Sequence, residues 1–252
     1  MKSFPVPGTD SRLRYHDLPG EGPPIIFVHG LGCASSCDYP TVAAAPDLRG
    51  RRMLLLDLLG SGFSDRPESF GYRIEDHACN VVALAEELHL SKVDLFGHSM
   101  GGAVAITAAT MLGPRLQHLV LGEPNLVPGG GFFSRRVASM PETRYVAGGH
   151  DDLVCASRAE GNDIWAASLA GSAAYAVHRA ASSLVAGSDP SWRSMLADLT
   201  SPRTMIIGER SLPYSEATGL PEIGVDIAIV AKAGHAMAWE NPAGLAAAIA
   251  RA

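Results

Sequence analysis

The chain reads as an α/β fold, a mostly parallel sheet flanked by helices with a helical insertion late in the sequence. Three observations predict it. Short, unbroken apolar runs such as Ile25-Ile26-Phe27-Val28 and Met53-Leu54-Leu55-Leu56 are what strands buried on both faces display. Segments with helical spacing alternate with those runs, the pattern of parallel strands joined by helical crossovers. The alternation stops near residue 125 and resumes near residue 201, with only helix-like segments between.

Residues 1–18 read as a hairpin that alternates weakly over Arg12-Leu13-Arg14-Tyr15, and Pro19-Gly20-Glu21-Gly22-Pro23-Pro24 reads as a turn. The first buried strand follows and ends in His29-Gly30-Leu31-Gly32. A short helix is expected over residues 38–47, then the second buried strand, closed by Asp57-Leu58-Leu59-Gly60-Ser61-Gly62. Residues 74–88 place Ile74, Ala78, Val81, Val82, Ala85 and Leu88 on one helical face with acids opposite. Val93, Leu95 and Phe96 begin a third strand, and residues 101–112, rich in Ala, Val and Ile, a helix. Leu119-Val120-Leu121 centres the next strand, with Glu123-Pro124 just past its end. Helix-like segments then fall around 134–140, 149–159, 162–169 and 173–184. Strands return at Met205-Ile206-Ile207 and over residues 225–230, and residues 242–250 close the chain as a helix. The expected division is a core of residues 1–124 and 201–252, with residues 125–200 as a helical cap.

Composition narrows the function classes. Among 252 residues, 47% are hydrophobic and 18% charged, which supplies a large core and excludes disorder. A net charge of −6 argues against nucleic acid or an anionic membrane as partner. No apolar run reaches about 18 residues, and the first residues lead into polar sequence, so no membrane span or secretory signal is expected and a cytoplasmic protein is. Cys33, Cys37, Cys79 and Cys155 fit no C-x-x-C spacing; they read as free thiols, and neither metal nor cofactor is expected.

The chemistry is concentrated in Gly97-His98-Ser99-Met100-Gly101-Gly102, at a strand-to-helix junction. A serine flanked by glycines there can occupy a sharp, strained turn that exposes its hydroxyl; alone, the same residues are also an ordinary glycine-rich turn. A serine hydroxyl needs a neighbouring base to become a nucleophile. Ala233-Gly234-His235, after the last predicted strand, offers one.

Four landmarks occur in order: His29-Gly30-Leu31-Gly32, Asp57-Leu58-Leu59-Gly60-Ser61-Gly62-Phe63-Ser64-Asp65-Arg66-Pro67, the serine turn, and Ala233-Gly234-His235. With these the chain resembles the α/β-hydrolase-fold family over nearly all its length outside the insertion. The resemblance implies Ser99 as nucleophile and His235 as base; an ordinary imidazole, titrating at about 6.5, suits proton transfer near neutrality. It also implies an oxyanion hole from the backbone N–H groups of Leu31 and Met100, with Gly32 or Cys33 in place of Leu31 if the loop is set differently. His29 is expected to support its loop and His98 to point away from Ser99.

The acid departs from the family's common pattern. Most relatives carry an aspartate after the strand that follows the insertion, where this chain reads Gly208-Glu209-Arg210-Ser211. Ser211 holds the aspartate's slot, and a hydroxyl cannot carry the negative charge that stabilises an imidazolium. Glu123, one strand earlier, is the favoured acid, and Glu209 is the alternative. A minority of the fold, including fungal zearalenone-lactone hydrolases, draws its acid from that earlier strand as a glutamate at similar spacing.

Asp57, Ser61 and Asp65-Arg66 are expected to shape the turn after the second strand, with Asp65 and Arg66 pairing across it. Leu59 and Phe63 are expected to border the substrate pocket. Gly32, Trp165, Tyr175 and Phe132, with Phe133, Met140 and Trp192, are candidate pocket walls, each also readable as helix-packing core. The expected activity is cleavage of an ester or lactone of a hydrophobic small molecule through an acyl-enzyme. Carbon–carbon bond hydrolysis would use the same three residues, and a non-catalytic ligand-binding protein is the reading from another class. Haloalkane dehalogenase and epoxide hydrolase chemistry is disfavoured, because it needs a carboxylate where Ser99 stands.

Overall fold

In the computed structural model, which describes residues 1–252, one eight-stranded sheet runs through the molecule in the order β1-β2-β4-β3-β5-β6-β7-β8. Strands β1 (Lys2–Pro5) and β2 (Arg12–Leu18) form the antiparallel edge. The other six, β3 (Glu21–Val28), β4 (Arg51–Asp57), β5 (Val93–His98), β6 (Leu116–Gly122), β7 (Arg203–Gly208) and β8 (Val225–Val230), are parallel. Alternation along β3 sorts its side chains between two cores. Ile26 and Val28 join Leu54, Leu56, Leu95 and Leu121 on the side covered by α1 (Ile74–Glu87) and α2 (Met100–Leu112). Ile25 and Phe27 join Met53, Leu55, Phe96 and Val120 under the C-terminal helix, which spans Pro242–Arg251.

Two sequence expectations change here. The turn expected over residues 19–24 is shorter, because β3 already begins at Glu21, paired with Arg51. A register shift between Glu21 and Ile25 takes up Pro23 and Pro24, which lack the N–H a central strand needs. The helix expected over residues 38–47 is instead two single turns, Ser35–Asp38 and Pro40–Ala43. Pro40 cannot continue a helix begun before it, but its fixed φ suits the first position of a new one.

Between β6 and β7 the chain is helical: α3 (Phe132–Ala138), α4 (His150–Ala159), α5 (Asp163–Ala170), α6 (Ala174–Ala186) and α7 (Trp192–Asp198). The first four fall where the apolar spacing predicts them. Helix α7 went unpredicted, although Ser191 caps it by accepting the Ser194 N–H at 3.2 Å. Trp192, expected on a pocket wall, is fully buried in the larger core, and α7 packs on α2.

Candidate active site

Ser99 lies between β5 and α2 with φ 55° and ψ −120°, a conformation strained for any residue with a side chain. Glycines permit it. A Cβ at Gly97 would strike the backbone of Gly101, one at Gly101 the carbonyls of Val28 and His29, and one at Gly102 the ring of Pro124. Helix α2 therefore sits closer to the sheet than side chains would allow, and Ser99 faces a cavity beyond the carboxyl ends of the strands.

His235 is held in the loop after β8 by its neighbours. Gly208 lacks a Cβ, so the backbone of Ala233 and Gly234 lies against the end of β7. Gly234 N–H donates to Glu240 Oε2 at 2.5 Å, and the Nε2–H of His98 donates to the carbonyl of His235 at 2.8 Å. The His98 ring packs against the His235 ring, tilted by 43° with the centroids 4.6 Å apart. Burial, with His235 beside it, pushes His98 down to about 3, so it is a neutral support. His29 behaves as expected, donating from Nδ1 to the Gly30 carbonyl and accepting the Leu58 N–H at Nε2.

The Nδ1 of His235 meets Glu123 Oε2 at 2.7 Å. Glu123 is buried at the end of β6 with φ 40°, a second strained residue at the same site. Its Oε1 accepts the Gly208 N–H at 2.9 Å. Burial alone would favour the neutral acid; the hydrogen bond and charge of His235, then the Ser211 hydroxyl and the Gly208 N–H, outweigh it and hold the carboxyl below its ordinary range. Ser211, in the slot of the missing aspartate, stands close to that carboxylate and favours its charged form. Glu209 lies elsewhere: its Oε2 accepts the Lys232 N–H at 2.7 Å, and it does not line the cavity.

No hydrogen bond joins the Ser99 hydroxyl to His235, but both line the same cavity. Such contacts are often open before substrate arrives. The Met100 N–H opens helix α2, where no preceding turn supplies an acceptor, and the Leu31 N–H makes none of the turn or loop hydrogen bonds.

The cavity has a volume of about 510 Å³, within the range of small-molecule sites. Phe132, Phe133 and Trp165 line it, and the Trp165 Nε1–H donates to the Leu31 carbonyl at 2.9 Å, tying α5 to the loop after β3. Gly32 and Tyr175 are corrections. Gly32 lies beneath α5, where a Cβ would strike Leu169. Tyr175 turns to the outer loop, donating to the Arg66 carbonyl with its ring against Tyr72. Met140 is likewise outside; Leu59 is buried in the core and Phe63 is exposed. Asp65 and Arg66 do not pair: Asp65 accepts the Arg12 N–H at 2.8 Å, and Arg66 donates to the Gly62 and Gly171 carbonyls. Asp57 does organise its turn, accepting from the backbone N–H groups of Ser36 and Phe63 and from the Ser36 hydroxyl.

Sequence reasoning missed Asp38, Tyr39, Tyr214, Glu216 and Trp239, all of which line the cavity. Asp38 and Tyr39 follow the His29-Gly30-Leu31 loop closely and Trp239 follows His235, so nearness to a motif was the available signal. The lining contains no Lys or Arg; its acids are Asp38, Glu123 and Glu216. No group of His, Cys, Asp and Glu is arranged to hold a metal, and no helix is long and apolar enough to cross a membrane.

This strand order, serine turn and histidine loop define an α/β-hydrolase fold. Residues 25–248 match the alpha/beta hydrolase family model, and the chain belongs to that family. Among curated proteins it is 35% identical over 107 residues to a 2-hydroxy-6-oxo-2,4-heptadienoate hydrolase of Pseudomonas putida. That match covers 42% of this chain and 38% of the relative, so the chain spans well under half of that enzyme's length. Among solved structures, the esterase EaEST from Exiguobacterium antarcticum superposes with a TM-score of 0.81 at 18% identity, over 99% of this chain and 97% of the other. The enol-lactonase from Burkholderia xenovorans LB400 does so with 0.80 at 19%, over 99% and 98%. At these identities the likeness is one of fold.

Proposed function

We propose that this chain is a serine hydrolase that cleaves an ester or lactone of an uncharged, largely hydrophobic small molecule. Ser99 attacks the carbonyl while His235 takes its proton, and Glu123 steadies the imidazolium that forms. The N–H groups of Leu31 and Met100 receive the oxyanion of the tetrahedral intermediate. His235 then protonates the leaving alkoxide, and water activated by the same imidazole releases the acid from Ser99. In a lactone the leaving alcohol stays tethered to the acyl group until water arrives. The helices over residues 125–200 act as the cap that supplies Phe132, Phe133 and Trp165 to the acyl or alcohol portion.

The observation that carries this reading is the 2.7 Å contact between His235 Nδ1 and Glu123 Oε2, made in a cavity that Ser99 also lines. The charge of that cavity selects the substrate class. The relative from Pseudomonas putida is named for a dienoate, an anion, whereas this cavity has three acids and no Lys or Arg to receive one. A carboxylate moved there from water would lose its hydration and gain no counter-charge.

The test is labelling with a fluorophosphonate, followed by product analysis with p-nitrophenyl esters, aryl lactones and a vinylogous diketone. The expected result is a Ser99 adduct at neutral pH and turnover of the esters or lactones. Absence of the adduct would leave a ligand-binding protein, and turnover of the diketone alone would move the chain to carbon–carbon hydrolysis.

A further inference from the structure

The loop that carries His235 is gripped from outside at each residue from Ala231 to His235. The Ala231 carbonyl accepts from Asn241 Nδ2 at 2.8 Å, and the Lys232 N–H donates to Glu209 Oε2 at 2.7 Å. Arg210 takes the next two carbonyls. Its Nη1–H donates to Lys232 at 2.6 Å, and its backbone N–H to Ala233 at 2.8 Å. Glu240 accepts the Gly234 N–H with Oε2, and its Oε1 pairs with Arg210 Nη2 at 2.5 Å. His98 completes the series at the His235 carbonyl. The Arg210 side chain therefore holds the loop twice: directly at Lys232, and through Glu240 at Gly234, the residue before His235. A Cβ on Gly234 would lie 3.5 Å from Glu240 Oε2 and 3.9 Å from Arg210 Nε, so the peptide before His235 rests on the ion pair. The loop needs such support, because Lys232 has φ 57°, a strained conformation for a residue with a side chain.

We propose that Arg210 and Glu240 are positioning residues that fix where His235 stands, and with it the reach of its ring toward Ser99 and Glu123. The inference rests on the serine hydrolase reading above. The His235 side chain is 56% exposed and makes one hydrogen bond, to Glu123 Oε2, so its ring relies on the backbone for its place. Displacing a reacting group by about 1 Å can cost about 10²-fold in rate. Arg210 suits the task because a guanidinium presents five donors in a planar fork and can serve a carbonyl and a carboxylate at once. Glu240 lies between that guanidinium and a backbone N–H, and such charge-assisted bonds are roughly twice as strong as neutral ones. The arrangement also accounts for the loop after β7. Glu123 supplies the carboxylate from β6, and Glu209 and Arg210, in the segment where most relatives carry the acid, hold the histidine loop instead.

The experiment follows the His235 ring by NMR in protein carrying isotope-labelled histidine. The Nδ1 proton that faces Glu123 gives a downfield signal, assigned by its loss in His235→Gln. Its exchange with water is measured beside the rate at which a fluorophosphonate labels Ser99. Arg210→Met keeps the aliphatic stem and the backbone N–H. Exchange should quicken and labelling slow in this variant, each by about tenfold, the effect of one or two lost hydrogen bonds. Glu240→Gln keeps an acceptor for the Gly234 N–H but loses the charge, so both effects should be about threefold. Arg210→Lys keeps one donor and should recover part of the loss. The Arg210 side chain is 55% exposed, so these variants should fold with a Tm close to that of the unsubstituted protein. A merely structural role would lower Tm and leave both rates alone. Unchanged exchange and labelling in Arg210→Met and Glu240→Gln would overturn the proposal, as would absence of the Nδ1 signal from the unsubstituted protein. A signal that responds to Arg210→Met in a protein whose Ser99 takes no label would overturn the hydrolase reading and leave the positioning role standing.

Discussion

Glu123 shows how one side chain is adapted to its place. It is buried, yet four features keep it ionised: the His235 ring and its charge, the Ser211 hydroxyl and the Gly208 N–H. Replacing Glu123 by Gln keeps the shape and removes the charge. By analogy with a triad carboxylate, kcat should fall by roughly 10²–10⁴-fold, while Glu209→Gln should change it far less; steady-state kinetics on one ester decides it. Asp38 is the opposite case. With few compensating donors, burial raises it to about 7 from an ordinary value of 3.8, and the charge of Asp57 adds to the rise. A carboxyl raised in the folded state binds its proton more tightly there than in the unfolded chain. Its contribution to stability is therefore complete below the unfolded value and is lost as pH rises through about 7. Asp38→Asn carries no such penalty, so the Tm of the variant relative to the parent should be higher at about pH 8 than at about pH 4. An identical difference at both pH values would show that Asp38 does not titrate in this window.

At the scale of elements, the site depends on how closely helix α2 approaches β3. Gly101 lies against the carbonyls of Val28 and His29 with no room for a methyl group. Gly101→Ala should push the start of α2 outward, cost about 1–3 kcal/mol by overpacking and misplace both Ser99 and the Met100 N–H. Urea unfolding measures the first effect and the rate of fluorophosphonate labelling the second. The elements themselves were largely readable from sequence. Buried parallel strands such as β3 and β4 are unbroken apolar runs, and α1 has a full apolar face, so local pattern suffices for them. Helix α7 was not readable in this way. It is seven residues long, so its apolar stripe of Trp192, Met195 and Leu196, continued by Leu199, spans barely two turns before it packs on α2.

At the scale of the molecule, the helices between β6 and β7 are fastened to the sheet domain by a few polar links. Trp165 reaches the Leu31 carbonyl. Arg179 donates to the carbonyls of Glu68 and Phe70 at 2.6 and 3.0 Å, and is held for this by Glu142 of its own helical segment at 2.8 Å. Arg179→Met keeps the aliphatic stem and removes these bonds. Amide hydrogen exchange over residues 132–186 should then quicken by about fivefold, equivalent to about 1 kcal/mol, with the sheet strands unchanged. Trp165→Phe should raise KM more than it lowers kcat, because it loosens a wall of the cavity and leaves Ser99, His235 and Glu123 in place.

The sequence by itself determined the strands, the sharp turn at Ser99 and the loop that carries His235, because each follows from apolar runs or glycines within a few neighbouring residues. Its resemblance to the α/β-hydrolase family also narrowed the carboxylate facing His235 to two glutamates at the ends of adjacent strands. Only the tertiary structure decided between them. The positive φ of Glu123 turns its side chain toward Gly208 and His235, whereas the loop after β7 carries Glu209 to the Lys232 backbone. The cavity wall was likewise a tertiary matter. Which face of α5 meets Leu31, and that Asp38, Tyr39 and Trp239 line the same cavity, depends on packing between segments far apart in the chain, and no local pattern encodes that.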